Sequence, residues 1–400
     1  MNVPLLDARR QNLPLEAELT EAFRRVLHSG RFIGGPEVER FEQQAAALAG
    51  ARFGIGMSSG TDAILVALMA LGIGPGDEVI CPSFTFFATG GCIARLGARP
   101  VFADSLADSF NIDPAEIEPL ITSRTRAIIP VHLYGQAADM EAILESARRH
   151  SLAVIEDAAQ SLGAEYRGQP VGSFGAFGTV SFYPTKNLGA LGDAGLLVTN
   201  DAALAEKARL LRDHGAHAKY FHSVVGGNFR LDALQAAFLA VKLPHLSEYT
   251  AARRNNAREY TGALERLPGR EAVEVMLPGF LPDRTHIVNQ YTLRVRRGKQ
   301  WRWTESPRDA LGRWLRERGI GCEVYYPVPL HRQECFGGPG PQRALPVAEA
   351  LAEEAISVPV FPELTTEERT AVTDAIADFV FSSALLTPDD RIAPTAAERG

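Results

Sequence analysis

A lysine and an aspartate stand at the ends of two apolar runs that each predict a β-strand. Lys186 follows the run 179–183, which Pro184 ends because proline has no N–H for the strand ladder. Asp157 is the last residue of the run 152–157. Ligands of open α/β sheets collect beyond the carboxyl ends of the strands, so we expect the lysine and the carboxylate to share one site.

This pair of side chains suits pyridoxal phosphate. The cofactor needs a lysine for its Schiff base and an anion that keeps its pyridine nitrogen protonated. Each residue alone has a simpler explanation. A loop lysine such as Lys186 is usually a solvated surface charge, and an aspartate such as Asp157 is usually a helix cap or a turn residue. The prediction therefore depends on the pair together with a third element upstream.

The third element is the segment 57–63 (Met-Ser-Ser-Gly-Thr-Asp-Ala), which follows the strand-like run 53–56 and opens a predicted helix over 63–71. The free backbone N–H groups and the positive dipole end of such a helix start can bind a phosphate dianion. An ordinary N-cap without a ligand is the alternative for this segment alone. Together with the hydroxyl of Ser181, five positions before the lysine, the segment predicts a phosphate cup.

Two further segments offer contacts to the cofactor ring. Gln160, three residues after Asp157, is placed to hydrogen-bond the phenolic oxygen of the cofactor. The segment 84–87 carries three phenylalanines at a predicted helix start, and an aromatic ring stacked on the cofactor would add about 1 kcal/mol beyond burial. The alternative is that all three rings are core residues, and at least one of them must be.

The composition argues against several functions. The chain has 400 residues, a formal net charge of −7 and a pI near 5.8, which argues against nucleic acid as the main partner. It has no apolar window of about twenty residues that would cross a membrane, and its first residues lack the pattern of a secretory signal. The four cysteines lack the close paired spacing of a zinc site. We therefore predict reduced thiols, no metal, and a soluble cytoplasmic protein.

Apolar runs that predict strands alternate with helical or loop segments in the first part of the chain. After the run 53–56 they lie at 77–81, 99–102, 127–131, 152–157, 179–183 and 195–199. This alternation predicts an α/β fold with a mainly parallel sheet covered by helices. A glycine-containing loop is predicted over 219–228. A helical region over 232–267, interrupted at Pro244, would then join a large domain (1–245) to a smaller one.

The smaller predicted domain covers 246–381 and mixes strands with helices. Its predicted elements are strands at 287–295 and 323–326, helices at 308–318, 346–356 and 366–381, and an extended stretch at 358–361. Residues 382–400 are polar and rich in proline and alanine, with little to bury, so we predict a disordered tail.

Seven motifs follow one another in an order that resembles the DegT/DnrJ-type nucleotide-sugar aminotransferases of the aspartate aminotransferase superfamily (fold type I). The motifs are 59–63 (SGTDA), 130–135 (PVHLYG), 156–161 (EDAAQS), 181–189 (SFYPTKNLG), 227–232 (GNFRLD), 326–331 (YPVPLH) and 357–362 (SVPVFP). Each motif alone is weak, but the ordered series is specific and covers nearly the whole chain. The resemblance implies a large domain with a seven-stranded, mainly parallel sheet and a smaller C-terminal α+β domain.

The resemblance also implies roles for residues of this chain. Lys186 matches the Schiff-base lysine, and Asp157 matches the partner of the pyridine nitrogen. The implied cofactor contacts are Gly60, Thr61, Phe86, Asp157, Gln160, Ser181, Lys186 and Asn228. Asn228 is expected to reach the phosphate from the neighbouring subunit, because the family works as a homodimer with active sites at the interface.

The implied substrates are a nucleotide-linked keto sugar and L-glutamate as the amino donor. The sequence that follows Lys186 resembles members that aminate carbon C3 of the sugar, and Tyr183 replaces a histidine that is common in members acting at C4. We therefore expect a dTDP-3-keto-6-deoxyhexose as acceptor, with a 4-keto sugar as the alternative. The candidate substrate contacts are Tyr183, Arg230, Tyr326 and His331. A structural or surface role is the alternative for Arg230, Tyr326 and His331.

Two other functions compete with this interpretation. Related sugar dehydratases carry a histidine in place of the lysine, so Lys186 argues against that reaction. A regulatory protein without enzymatic activity, a label that some relatives carry, would have no need of an electron sink. His132 lies beside a predicted strand end and could sit under the cofactor, but we expect it to be a packed, hydrogen-bonded histidine.

Overall fold

A computed structural model of the chain describes residues 1–267, 272–337 and 343–385. The α-helices within these ranges are α1 Ala8–Asn12, α2 Glu16–Ser29, α3 Pro36–Leu48, α4 Gly60–Ala70, α5 Phe87–Arg95, α6 Met140–Arg149, α7 Ala202–Arg212, α8 Ala233–Lys242, α9 Leu246–Leu264, α10 Pro307–Glu317, α11 Pro346–Glu354 and α12 Thr366–Leu385. The strands in the same ranges are β1 Phe53–Met57, β2 Glu78–Pro82, β3 Arg99–Ala103, β4 Thr125–Ile128, β5 Ala153–Asp157, β6 Glu165–Tyr166, β7 Gln169–Pro170, β8 Phe177–Ser181, β9 Gly195–Thr199, β10 Ala216–Ala218, β11 Phe221–His222, β12 Val273–Met276, β13 Tyr291–Arg297 and β14 Ala355–Val358.

Seven of these strands form a central sheet in the order β1-β9-β8-β5-β4-β2-β3. Neighbouring strands from β8 to β3 run parallel, and β9 is antiparallel to both of its neighbours. The predicted α/β fold with a mainly parallel, seven-stranded sheet is therefore confirmed. Helices cover both faces of the sheet, so its inner strands are apolar on both sides and appear in the sequence as continuous apolar runs.

Alternate residues of each strand enter two separate apolar cores. On β9, Leu196 and Val198 pack in the core that includes α2, α3, α6 and α8. Leu197, between them, packs in the core that includes α4, α5 and α7. Since successive side chains of a strand point to opposite faces, the two cores lie on opposite faces of the sheet and hold the strand ends between them.

A second, smaller unit is built on the antiparallel sheet β12-β13-β14. Its core includes Tyr260 of α9, Leu311 of α10 and Ile376 of α12, which matches the predicted α+β character. Val3 also belongs to this core, and its amide donates to the carbonyl of Gly319 at 2.8 Å. The first residues of the chain therefore pack with the C-terminal unit, although the predicted large domain began at residue 1.

Three local predictions differ from the structure. The short antiparallel hairpin of β10 and β11 reaches into the segment 219–228, where a loop was predicted. The predicted strand 323–326 is reduced to Glu323, which forms an isolated bridge to β14. Helix α12 ends at residue 385 and so covers the start of the predicted disordered tail, of which 386–400 lie outside the described residues. Among the helices described, none has both the length and the apolarity that a membrane span requires.

Candidate active site

The carboxyl ends of β5 and β8 open into a cavity of about 610 Å³. The two strands are parallel neighbours, and Asp157 at the end of β5 pairs with Thr179 of β8. Lys186 lies on the loop that follows β8, and the side chains of both Lys186 and Asp157 line the cavity. The structure therefore brings the predicted lysine and carboxylate into one site.

Most of the other predicted site residues line the same cavity. They are Gly60, Thr61, Phe86, Gln160, Ser181, Tyr183 and Tyr326. Asn228, Arg230 and His331 do not line it in this chain.

Lys186 is held at the backbone and buried at its amine. Its amide donates to the carbonyl of Tyr183 at 2.9 Å, which closes a tight turn around Pro184. Burial lowers the pKa of Lys186 from 10.5 to about 8, and the charge of Asp157 opposes part of this shift. An amine with a pKa near neutrality can lose and regain a proton under working conditions, which is what a general base requires.

Asp157 is a buried carboxylate with two hydrogen-bond donors. The hydroxyl of Thr89 donates to its Oδ2 at 2.9 Å, and the amide of Ala159 donates to its Oδ1 at 3.2 Å. Burial raises the pKa of Asp157, while these two donors and the charge of Lys186 act in the opposite direction. A cationic ligand atom beside the carboxylate would favour its ionised form further.

The start of α4 lies against the end of β8, where the phosphate cup was predicted. Ser59 caps the helix by accepting the amide of Asp62 at 3.0 Å. The amides of Gly60 and Thr61 lie in the first turn and have no carbonyl partner within the helix. A Cβ atom on Gly60 would lie only 2.7 Å from the Cβ of Ser181, so only glycine lets the helix start approach the end of β8 this closely.

Gln160 and two aromatic residues line another side of the cavity. The amide of Tyr134 donates to Oε1 of Gln160 at 2.7 Å, which leaves Nε2 as the donor on the side of the cavity. Nε2 donates to the hydroxyl of Tyr326 at 3.3 Å. The ring of Phe86 lies 6.1 Å from that of Tyr326 and is 55% exposed, so it offers an open face to a flat ligand.

Three predicted residues lie elsewhere. His331 is buried, with Nδ1 2.6 Å from the hydroxyl of Ser83 and Nε2 3.0 Å from Glu349, so both ring nitrogens already have partners. Arg230 pairs with Asp213 at 3.4 Å. Asn228 is exposed, as a residue that serves a neighbouring subunit would be. Their contacts with substrate or cofactor stay predictions, and for His331 the geometry favours a structural role.

His132 is packed, as we expected. Its Nε2 lies 3.1 Å from Glu156, and its Nδ1 accepts the amide of Ala138 at 3.0 Å. Two other residues of the site were missed by the sequence analysis. Thr89 supports Asp157 from α5, 68 positions away, and Gln290 lines the cavity from the segment before β13. Neither carries a local sequence signal, because only the fold brings them to the site.

These residues fit pyridoxal phosphate. The cradle between Gly60 and Ser181 suits a phosphate, since it combines a hydroxyl with helix N-terminal amides and leaves no room for a Cβ. A buried lysine with a lowered pKa suits the cofactor aldehyde, and a buried carboxylate suits its ring nitrogen.

Comparisons with known proteins agree with this site. The model of the DegT/DnrJ/EryC1/StrS aminotransferase family matches residues 14–377. A Geobacillus stearothermophilus protein named "Pleiotropic regulatory protein" is 50% identical, over 95% of this chain and 99% of its own. The UDP-N-acetyl-3-dehydro-alpha-D-glucosamine 3-aminotransferase of Acidithiobacillus ferrooxidans is 44% identical, over 92% of this chain and 95% of its own. The crystal structure of DesV from Streptomyces venezuelae has a TM-score of 0.88 at 42% identity, covering 95% of this chain and 98% of that chain.

The matches span nearly the whole chain, so they include both the large sheet and the smaller unit. They confirm the resemblance found in the sequence motifs, the fold type and the cofactor. The chain therefore belongs to the DegT/DnrJ/EryC1/StrS aminotransferase family, and it is a pyridoxal phosphate-dependent nucleotide-sugar aminotransferase.

Proposed function

We propose that this aminotransferase moves the amino group of L-glutamate to C3 of a dTDP-3-keto-6-deoxyhexose, with Lys186 as the cofactor-bonding lysine and Asp157 as the partner of the ring nitrogen. The observation that carries the proposal is the shared cavity of these two side chains beside a phosphate-type helix start. Pyridoxal phosphate supplies an electron sink for the carbanion that forms at the amino donor. The residues of the chain supply binding, orientation and proton transfer.

Lys186 is the proposed proton carrier. With the cofactor bound, Nζ of Lys186 would take the proton from Cα of the donor and deliver it at C4′. The lowered pKa of Lys186, about 8, supports this role because a large part of the amine is neutral near that pH. Burial is the main cause of the shift.

Asp157 is the proposed anchor of the ring. An ionised carboxylate at the ring nitrogen keeps that nitrogen protonated, and a protonated ring withdraws electrons more strongly. Thr89 and the amide of Ala159 donate to the two carboxylate oxygens and so hold the side chain in one orientation. The phosphate would be bound by Gly60, Thr61 and Ser181 at the opposite end of the cofactor.

The sugar would enter past the aromatic side of the cavity. Tyr183, Tyr325 and Tyr326 line it, and Tyr183 is 52% exposed, so these rings can contact a sugar or a base. Amination at C3 is supported by the Lys186 motif and by the name of the 44% identical relative, a 3-aminotransferase. A 4-keto sugar is the alternative acceptor.

A homodimer is proposed because the cofactor contact Asn228 lies outside the cavity of its own chain. The hairpin and the residues between it and Asn228 expose large side chains: Tyr220 is 81% exposed and Val225 is 89% exposed. Exposed apolar side chains beside an expected cofactor contact are typical of a surface that a partner covers. A symmetric dimer would place each hairpin at the site of its partner.

The name of the 50% identical relative raises the regulatory alternative. A purely regulatory protein gains nothing from a buried lysine that is desolvated opposite a buried carboxylate, because both groups cost free energy to bury. The presence of Lys186 also argues against the dehydratase alternative, in which a histidine takes its place. The aminotransferase function is therefore favoured for this chain.

Spectroscopy and one half-reaction test the proposal. We expect the purified protein with pyridoxal phosphate to be yellow, and borohydride to fix the cofactor covalently to the chain. Lys186→Ala should lose the fixation and keep the fold, whereas Lys207→Ala, at an exposed lysine of α7, should change neither. A colourless wild-type protein would contradict the cofactor site.

The position of the keto group is tested with candidate dTDP-linked amino sugars. In the reverse half-reaction, a 3-amino-6-deoxyhexose should convert the cofactor from its aldehyde form to its amine form, with a change in visible absorbance. Conversion with 4-amino sugars alone would overturn the choice of C3 while leaving the aminotransferase function intact.

A further inference from the structure

A second buried lysine lies against the loop that carries Lys186. Lys242 is the last residue of α8, and its side chain is almost completely buried. Its Nζ donates to the carbonyl of Gly189 at 2.6 Å. A buried lysine usually has a partner for its amine, and for Lys242 that partner is the carbonyl of Gly189.

Gly189 closes the loop of the catalytic lysine. The amide of Ala190, the next residue, donates to the carbonyl of Phe182 at 2.8 Å, so the chain returns to the point where it left β8. A Cβ atom on Gly189 would lie 2.4 Å from the carbonyl oxygen of Pro184, which shows how tightly the two ends of the turn pack. A shift of Gly189 would therefore move the turn that contains Lys186.

The same face of α8 holds this loop at a second point. Gln235 precedes Lys242 by seven residues, which is two helical turns, so both side chains lie on one face of the helix. Oε1 of Gln235 accepts the amide of Leu191 at 2.9 Å. Nδ2 of Asn187 also donates to the carbonyl of Ile287 at 3.0 Å, which ties the loop to the segment before β13.

The charged side chains of Lys242 and Arg253 both interact with that of Glu363 where the two units of the fold meet. Burial lowers the pKa of Lys242 to about 8, and the negative charge of Glu363 acts in the opposite direction. Arg253 on α9 shares the same counter-charge and donates to the carbonyl of Asn289 at 3.2 Å. Asn289 precedes Gln290, which lines the cavity.

We propose that Lys242 is a positioning residue for Lys186: its ammonium group fixes the carbonyl of Gly189 and thereby sets where the amine of Lys186 stands in the site. The inference rests on the proposed role of Lys186 as the cofactor-bonding lysine. A loop held from α8 and from the segment before β13 places the amine within a narrow range of positions, and proton transfer depends strongly on such placement.

The test is Lys242→Met, which keeps the length of the side chain and removes the donor. We expect kcat to fall about tenfold or more with little change in the KM for the amino donor, because the bound geometry and not substrate capture is altered. We also expect a shift in the pKa that governs the visible absorbance of the bound cofactor. Lys207→Met, at an exposed lysine of α7, is the matched control and should leave both quantities unchanged.

A double variant, Lys242→Met with Glu363→Gln, separates positioning from charge balance. It removes the ammonium donor together with the negative charge that the single variant leaves at Glu363, so kcat and the absorbance pKa should stay as in Lys242→Met if the lost hydrogen bond, and not the unbalanced charge, is their cause. A double variant with wild-type kcat and absorbance pKa would overturn the proposal, and so would a single variant that loses thermal stability alone. If neither variant folds, as judged by circular dichroism of the cofactor-free protein, Lys242 serves folding only and the proposal is again wrong.

A failure of the positioning role of Lys242 can be distinguished from a failure of the proposed cofactor-bonding role of Lys186. Borohydride fixation of the cofactor in the wild-type protein, and its loss in Lys186→Ala, test the role of Lys186 directly. If fixation occurs at Lys186 and Lys242→Met behaves as the wild type does, only the positioning role is refuted. If fixation in the wild type occurs at another residue, the proposed site itself is refuted.

Discussion

Thr89→Val is expected to weaken the ionised form of Asp157 while preserving the shape of the site. The hydroxyl of Thr89 is buried and donates to Oδ2 of Asp157 at 2.9 Å. Valine has nearly the same volume as threonine but no donor, so the carboxylate would keep only the amide of Ala159 as a hydrogen-bond partner. The change therefore isolates one hydrogen bond to the proposed partner of the ring nitrogen.

The size of the effect follows from the burial of this hydrogen bond. A hydrogen bond to a charged group is worth about 1.5–3 kcal/mol, and one pKa unit corresponds to about 1.4 kcal/mol. Loss of the Thr89 donor should therefore raise the pKa of Asp157 further, in the direction in which burial already moves it. A protonated Asp157 cannot keep the ring nitrogen protonated, so the pH below which the site loses activity should rise.

The assay is the pH dependence of kcat/KM, together with the absorbance of the bound cofactor. The acid limb of the profile should move to higher pH, and kcat/KM on that limb should fall about tenfold or more, which is what a loss of about 1.5–3 kcal/mol corresponds to. Thr89→Ser keeps the hydroxyl and should stay close to the wild type. An acid limb that does not move in Thr89→Val, with a normal rate at pH 7, would refute the assigned role of this hydrogen bond.

Three further predictions concern the lysine, the dimer and the phosphate cup. The pKa of Lys186 falls from 10.5 to about 8 on folding, so the folded state binds this proton more weakly and stability should rise between these pH values. At pH 7, below that window, Lys186→Met should raise the unfolding free energy of the cofactor-free protein by roughly 3 kcal/mol in urea titrations, and a lower value would contradict the assigned burial cost. The dimer is tested by refolding Lys186→Ala and Asn228→Ala chains together in equal amounts and assaying them at limiting cofactor. If Asn228 serves the partner subunit, each mixed dimer has one complete site, and the mixture should recover about one quarter of the wild-type activity. If Asn228 serves its own subunit, almost no activity should return. Gly60→Ala should weaken cofactor binding at least about tenfold in an absorbance titration, because its Cβ would lie 2.7 Å from that of Ser181. Gly262→Ala, at an open position of α9, is its control and should stabilise the protein by about 0.5–1 kcal/mol.

The central sheet could be predicted because its strands are buried on both faces. The run 195–199 was predicted with the bounds that β9 has, and the run 152–157 differs from β5 by one residue. Both runs consist mostly of apolar and β-branched residues, which leaves few alternatives to a buried strand. The predicted run 179–183 ends two residues beyond β8, but Lys186 lies on the loop after the strand in either case, so the positions of Asp157 and Lys186 at the sheet edge followed from the predicted strands.

The edges of the fold were harder to predict because their stability depends on distant contacts. Val3 packs in the core of the smaller unit, and its amide bonds to the carbonyl of Gly319, more than 300 positions away. The hairpin of β10 and β11 has only a few residues per strand and exposed apolar side chains, so it lacks the alternating pattern of a half-buried strand. No local sequence rule contains this information.

In the candidate site, the sequence motifs identified residue types but not the contacts that each side chain makes. His331 ends a motif of the family and was predicted as a candidate substrate contact. In the structure, its two ring nitrogens face the hydroxyl of Ser83 and the carboxylate of Glu349. The hydrogen bonds from His331 and Arg332 lower the pKa of Glu349 to about 2, so its carboxylate stays ionised and bonded to these two side chains. A motif can thus identify a histidine that matters, while only the fold shows what the histidine contacts.

Gln160 shows what the structure adds even where the sequence analysis named the right residue. A glutamine can present either its oxygen or its nitrogen to a ligand, and the sequence does not say which. Tyr134 has a backbone φ of 58°, a left-handed conformation that is unusual for a tyrosine, and its amide donates to Oε1 of Gln160. With Oε1 occupied, Nε2 is the group left to face an acceptor, and its present bond to the hydroxyl of Tyr326 is long at 3.3 Å. A phenolic oxygen of the cofactor, which carries negative charge, would be a better acceptor than a tyrosine hydroxyl, so the amide of Tyr134 favours the orientation of Gln160 that the predicted cofactor contact needs.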